Sequence, residues 1–359
     1  MVSRSIKSLL VLAFSVFLLS APVVAQHTEE AAPAAHAEAS AFDPAKLIME
    51  HIMDAHEFHF FSLGEKHISL PLPVILYSPQ RGLSVFSYGK FHHGHEVYEG
   101  YKSEEGHIVP VNAAGEHDAS ITVYDFSLTR NVVQMLIALT ILVVLMVGVA
   151  NKYKKNGAKV APSGFQNAVE PVITFVRDEV GKPNLGHAYE KYMPYLLTVF
   201  FFILINNLLG LIPGSANVTG NIAFTIVLGV ISFLVILFST NKHFWAHIFN
   251  PPVPGFVKPI LVPVEFLGIF TKPFALIVRL FANMVAGHIV ITCFVMLIFI
   301  FGAMSKVAGW GFAPVSLAFT IFIYLIEILV AFIQAFIFTN LTAVFIGQSR
   351  EGAHDEAHH

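Results

Sequence analysis

The sequence predicts an all-α polytopic membrane protein with about five membrane helices and a small β-rich extension ahead of them. Three observations carry this. Of 359 residues, 55% are hydrophobic and only 13% charged, where soluble domains carry about 25% charge. The mean hydropathy is +0.67, and the apolar residues collect in runs long enough to cross about 30 Å of hydrocarbon. Finally, 11 of the 18 histidines fall between His27 and His117, so the first third of the chain is a different kind of region. The net charge of −3 names no class of partner, and nothing points to nucleic acid.

Residues 1–25 read as an export signal. Arg4 and Lys7 precede the apolar run from Leu9 to Ala25, and the small residues of VVA offer a cut after Ala25. An uncleaved anchor is the alternative. Residues 26–126 then form an exported extension. The stretch EEAAPAAHAEASA is low-complexity and lacks the apolar residues a core needs. The runs HISLPLPVILY, GLSVFSYGKF and ASITVYDF are β-like and are separated by Gly, Pro and charge. His56-Glu57-Phe58-His59 and His92-His93-Gly94-His95 are cation-capable clusters, but their spacing fits no ligand pattern. They are read as solvated histidines, with no metal or cofactor expected. Cys293 is the only cysteine, which excludes an intrachain disulfide.

Residues 127–350 form the membrane domain. The first span, NVVQMLIALTILVVLMVGVA (131–150), precedes NKYKKNGAK, and seven Lys or Arg lie between Asn151 and Met193. Such a concentration marks the cytoplasmic side, in agreement with an exported N-terminus. Ser163 is a candidate N-cap for a helix with Phe165, Val169, Ile173, Val176 and Val180 on one face. It is read as an amphipathic helix on the membrane surface or against another subunit. PYLLTVFFFILINNLLGLIPG (194–214) returns outward with Asn206 and Asn207 deep in it, and NIAFTIVLGVISFLVILFST (221–240) comes back in. The uncharged SANVTG between them is an outer turn.

Two longer apolar runs follow, about 263–302 and 314–346. As straight helices they measure roughly 60 and 50 Å, so they are expected to lie steeply tilted. GAMSKVAGWGFA joins them as an outer turn, making an antiparallel hairpin, with residues 351–359 as a cytoplasmic tail. If residues at equal depth keep a constant sum of numbers, the polar side chains fall into three levels. His288 and Glu327 share the outermost, Arg279 and Gln334 the middle, Glu265 and Gln348 the innermost. Asn283 stands one turn after Arg279. His288 lies nine residues from Arg279, half a turn round and about 13.5 Å along.

An Arg at mid-bilayer costs about 2.5–3.5 kcal/mol on insertion scales, so Arg279 needs a reason. Weighed against function, His288 with Glu327 is a packing pair, Gln334 and Asn283 are interhelical glue, and Lys272 snorkels to the surface. The snorkelling reading is preferred for Lys272; for the others the functional reading is.

At these residues a family resemblance emerges. TKPFALIVRLFANMVAGHIV, EILVAFIQAFIFTNLTAVFI and PYLLTVFFFILINNLLGLIPG resemble subunit a of F-type ATP synthases, the stator half of their proton channel, over about residues 130–350. The resemblance implies that Arg279 faces a rotating ring of c subunits beside two offset half-channels. His288, Glu327 and Asn207 belong to the outer half-channel and Glu265 to the inner one, with Gln334 and Asn283 as further residues of the proton pathway. It implies b-type stator and other ATP synthase subunits as partners, an inner-membrane location, and no enzymatic activity in this chain alone. No GxxxxGK[ST] phosphate loop is present. Two departures stand out. Many members carry an acid where His288 stands and a histidine where Glu327 stands, and many carry an acid at the position of Gly210. The rival reading is a secondary transporter with Arg279 as its anion site, which requires a repeat with interrupted helices; none is visible. A metal-binding exported module on an anchor explains the histidines but not the hairpin.

Overall fold

The computed structural model describes residues 54–63, 66–91, 96–104, 106–112, 115–118, 120–157, 164–212, 214–251 and 253–350. The leader, the low-complexity stretch, His92, His93, His95 and the tail lie outside them. All the described residues belong to one unit that begins at Pro44.

The N-terminal part is built of short strands. β1 (Glu57–Leu63) pairs antiparallel with β2 (Lys66–Pro71). β3 (Pro73–Ser78) is the centre of a three-stranded sheet between β4 (Gly82–Ser87) and a later strand, and β5 (Tyr101–Glu104) pairs with β6 (His107–Pro110). The third strand of the central sheet is β7 (Tyr124–Asp125). The alternation of PVILYS explains β3: Val74, Leu76 and Ser78 point inward and are buried, while Tyr77 is exposed opposite Leu83. Val74 and Leu76 pack with Tyr88, Phe91, Tyr101 and Ile108, where each fully buried large side chain contributes about 1.5–3 kcal/mol.

Eight helices follow among the described residues. They are α1 (Arg130–Asn156), α2 (Phe165–Phe175), α3 (Lys182–Leu185), α4 (Tyr189–Gly210), α5 (Ile222–Ser239), α6 (Lys242–Phe249), α7 (Lys258–Met304) and α8 (Lys306–Gln348). Five stretches are long and apolar enough to cross a membrane: α1, the run from Phe165 to Gly210, α5, α7 and α8. Thr129, the N-cap of α1, makes no side-chain capping bond. Asp54 does that work from outside the helix: its Oδ1 accepts the Asn131 N–H at 3.3 Å, while the Ala55 carbonyl accepts the Arg130 N–H at 2.9 Å. A carboxylate at a helix N-terminus also suits the helix dipole. The β-domain is thereby fastened to the near end of α1, and the α4–α5 loop lies at that same end.

The expected surface helix packs its apolar stripe against other helices of this chain. α2 starts after Gly164, without a side-chain cap, and Ser163 lies outside the described residues. A wide turn from Val176 to Gly181 carries it into α3. Val169, Val176 and Val180 pack in the main core with Leu196, Phe200 and Phe338, and the Phe175 ring meets Phe332 and Phe336 at 5.9 and 5.4 Å. The apolar stripe is therefore covered by α4 and α8 of the same chain; only Phe165 at its tip stays exposed.

The hairpin is tighter than expected. α7 runs on to Met304, and α8 starts at Lys306, leaving Ser305 alone in extended conformation (φ −162°, ψ 135°). The residues read as a long turn are helical because Gly302 and Gly309 let the two backbones touch; a Cβ on Gly309 would meet the Gly302 Cα at 2.7 Å. Phe301 packs on Phe312 at 4.6 Å, and Phe294 stacks on Phe319. With 47 and 43 residues, α7 and α8 measure about 70 and 64 Å.

Candidate functional site

The expected levels hold at the near end and slip toward the far end. Gly287, beside His288, is where the Glu327 carboxylate rests: a Cβ at 287 would collide with all three of its carboxyl atoms. His288 and Glu327 thus stand at one depth. One level down, the bond to Gln334 comes from Asn283, whose Nδ2 donates to Gln334 Oε1 at 2.9 Å, and not from Arg279. At the far end Gln348 Oε1 accepts from Lys272 Nζ at 3.1 Å, seven residues along from Glu265. Lys272 also lies 5.0 Å from the Phe345 ring centre. Going down from the turn, Phe301 to Lys272 is 29 positions of α7, but Phe312 to Gln348 is 36 of α8. The two helices do not advance in step, and the long Lys272 side chain spans part of the difference. The constant-sum expectation is corrected at the innermost level for that reason.

The faces of α7 separate two kinds of residue. Leu276, Leu280, Met284, Gly287 and Ile291 repeat at helical spacing and are buried against the rest of the chain. Arg279 and Asn283 are exposed, among apolar residues of the same face such as Val278 and Val290. Arg279 makes no hydrogen bond or ion pair with any other described residue. His288, half a turn round the continuous helix, is half-buried. Glu327 is 7% exposed and Gln334 1%. Glu265 is half-buried on α7, near its start.

From α4, Asn207 Nδ2 donates to the Ala331 carbonyl of α8 at 3.3 Å, and Asn206 Nδ2 to Phe202 within its own helix. The buried oxygens Asn206 Oδ1, Asn207 Oδ1, Thr219 Oγ1 and Glu327 Oε2 are among those with no hydrogen-bonding partner among the described residues. Buried polar atoms seldom stay unsatisfied, and all four can accept a bond from water.

Sequence reasoning missed Asn217. Its turn, SANVTG, reads as an uncharged outer turn, yet it folds inward. Asn217 Nδ2 donates to the Met284 carbonyl of α7 at 3.3 Å, and its Oδ1 accepts from the Gly220 N–H at 3.0 Å. It also fills the space beside Gly210, where a Cβ would stand 3.6 Å from Asn217 Oδ1. No local signal marks this, because the contact is with α7, 67 positions later. Gln134 of α1 was missed likewise.

In the β-domain, His56 Nε2 lies 3.2 Å from Asp125 Oδ2, and the His56 ring stacks on Tyr88. Burial pushes the Asp125 carboxyl up, but the bonds from His56 and Ser127 outweigh it and hold the carboxyl below its ordinary value. No group of three or more candidate metal ligands forms among the described residues.

Fold and site together define a multi-pass α-helical membrane protein with ionisable and amide side chains held at mid-span between its last two helices. Residues 132–347 match the family model described as ATP synthase A chain, and the chain belongs to that family. It is 42% identical to ATP synthase subunit a of Chloroherpeton thalassium, over 95% of this chain and 91% of that relative. It is 40% identical to ATP synthase subunit a 2 of Prosthecochloris aestuarii, over 94% and 89%. Residues 47–126 match a model described as a domain of unknown function (DUF8433).

Proposed function

We propose that this chain is the proton-conducting stator subunit of the membrane sector of an ATP synthase, with Arg279 facing a rotating ring of c subunits. The observation that supports this best is an exposed guanidinium without a partner on an apolar face of a membrane helix. Facing lipid, that placement is expensive; facing a partner's carboxylate, it is favourable.

The chemistry follows from the cost of charge in lipid. A ring carboxylate must be neutral while it faces hydrocarbon and ionises beside a cation. Its proton leaves through one half-channel and a new one enters through the other. Arg279 separates the two because a guanidinium does not give up its proton, whereas a buried Lys readily does. Each proton crossing 100 mV releases about 2.3 kcal/mol, and the offset between the half-channels turns this into rotation. His288, Glu327 and Asn207 line the outer path and Glu265 the inner one, with Asn283 and Gln334 further along the pathway at the level of Arg279. The β-domain and the Ser305 turn then lie on the outer, periplasmic side and the C-terminus in the cytoplasm. Residues 1–25 are the leader, 26–126 the exported extension and 127–350 the channel domain. The last two helices lie tilted along the ring, and b-type subunits complete the stator.

The test is Arg279→Lys and Arg279→Ala in complexes that still assemble, reconstituted in vesicles. Both should lose proton-driven ATP synthesis to background. Near-normal synthesis by Arg279→Lys would show that a permanent cation is not required.

A further inference from the structure

We propose that the N-terminal β-domain is a clamp on the α4–α5 loop, and that Gln134 is the positioning residue through which it sets the geometry of the His288–Glu327 level. This rests on the proton-conducting reading above and assigns a role to a domain the proton path itself does not need.

The contacts run in one unbroken line. Phe58 and Leu72 of the β-domain pack with Ala216, which is fully buried, and with Val133 of α1. Gln134, 4% exposed, grips the backbone of the same residue at both ends: its Nε2 donates to the Ala216 carbonyl, and its Oε1 accepts the Ala216 N–H at 2.8 Å. A buried amide with both bonds made admits one orientation, and losing either bond is costly. The next residue is Asn217, bonded to the Met284 carbonyl. In an α-helix that carbonyl also receives the N–H four residues on, that of His288. Gly287, in the same turn, carries the Glu327 carboxylate against it.

A connection that merely joined two spans would not need a buried amide from a third helix and two apolar side chains from another domain. What the clamp fixes is Asn217, and with it the turn from Met284 to His288. The titratable groups facing this turn are His288 on α7 and Glu327 on α8. Asn207 on α4, with Asn217 and Thr219 in the loop, presents only an amide or a hydroxyl. Charged or titratable groups at the clamp end include Asp54 and Arg130 at the start of α1, Glu57 beside Phe58, and His56 with Asp125 and Tyr88.

The experiment uses assembled complexes in vesicles whose lumen corresponds to the outer side. Proton-driven ATP synthesis is measured against lumen pH for wild type, Gln134→Met, Leu72→Ala and the double variant. Gln134→Met keeps length and apolar packing but makes neither bond. Each single change should move the midpoint by about 0.5–1 pH unit, because both rearrange the surroundings of the titrating pair without removing either group. The double should move it no further than the larger single, because both act through Ala216. Leu72→Val serves if Leu72→Ala does not assemble. An unmoved midpoint with lower amplitude at every pH would reduce Gln134 to a structural role and overturn the proposal; so would additive shifts. If Arg279→Ala is inactive while Gln134→Met keeps the wild-type midpoint, only the clamp fails. If Arg279→Ala is active, the underlying reading fails.

Discussion

Two carboxylates show how differently this chain treats charge in its two regions. In the β-domain, Asp125 meets His56 at 3.2 Å and accepts the Ser127 N–H at 2.8 Å. In the same domain Asp54 caps α1. These carboxylates are partnered and serve to hold strands and helix together. In the hairpin, Glu327 is buried against the bare backbone of Gly287, and its Oε2 has no partner among the described residues. Leaving a buried acceptor unsatisfied costs about 1–3 kcal/mol, a cost that a purely architectural carboxylate would avoid. The comparison teaches that the partnered carboxylates tie strands and helix together, while the incompletely paired Glu327 is the kind of group the proposed proton path requires.

The comparison breaks most directly at the His288–Glu327 level. His288→Glu sets two carboxylates side by side, and Glu327→His leaves two imidazoles and no acid. Each single change should remove most proton pumping into inverted vesicles. The double restores one of each, so its loss should be clearly smaller than the two single losses combined, as for residues in contact. Additive losses would mean that the two do not share a site.

Gly287→Ala sharpens the same contrast without changing any titratable group. The new methyl must displace the Glu327 carboxylate, and overpacking of this kind costs about 1–3 kcal/mol. Pumping should fall about tenfold in assembled complexes. Wild-type rates would show that the position of the carboxylate is unimportant. A smaller effect is expected of Gln334→Leu, which removes the acceptor of Asn283 but leaves Arg279 in place. It should reduce coupled synthesis several-fold, well short of Arg279→Ala; an equal loss would reverse the ranking of the two residues.

The contrast also explains what was legible in the sequence. The spans are announced by local composition, since twenty apolar residues in a row have few other uses. His288 and Glu327 could be matched in depth because both lie close to the hairpin turn, where little error accumulates. At Gln348 the same arithmetic misses by seven residues, because α7 and α8 do not advance in step. The turn itself was misread: Gly, Ser and Trp suggest a loop, but here the two glycines permit close backbone contact, and the helix continues. β3 and β4 stand out by alternation, whereas β1, β5 and β6 carry His, Lys and Glu and leave no such pattern. Asn217 and Gln134 are bonded across long stretches of chain, and no window of sequence contains both partners.

The smallest effect, and the cleanest control, belongs to Asp125. Its folded carboxyl titrates below the ordinary value, which for Asp is about 3.9. A depressed acid stabilises the fold above its unfolded value and loses that contribution as the pH falls through the folded value. Asp125→Asn keeps the shape and removes the charge. The Asp125 side chain is 35% exposed, so solvent screening limits its worth to about 1 kcal/mol or less. Hydrogen exchange at the amides of Phe126 and Leu128, both bonded to β3 carbonyls, reports on the sheet directly. Wild type should be better protected than Asp125→Asn above about pH 5, and the difference should close as the pH drops below 4. Proton pumping in the assembled complex should change far less than in Gly287→Ala. A difference between the two proteins that persists unchanged at low pH would show that the Asp125 charge does not hold β7 in place, and the pairing in the β-domain would then need another explanation.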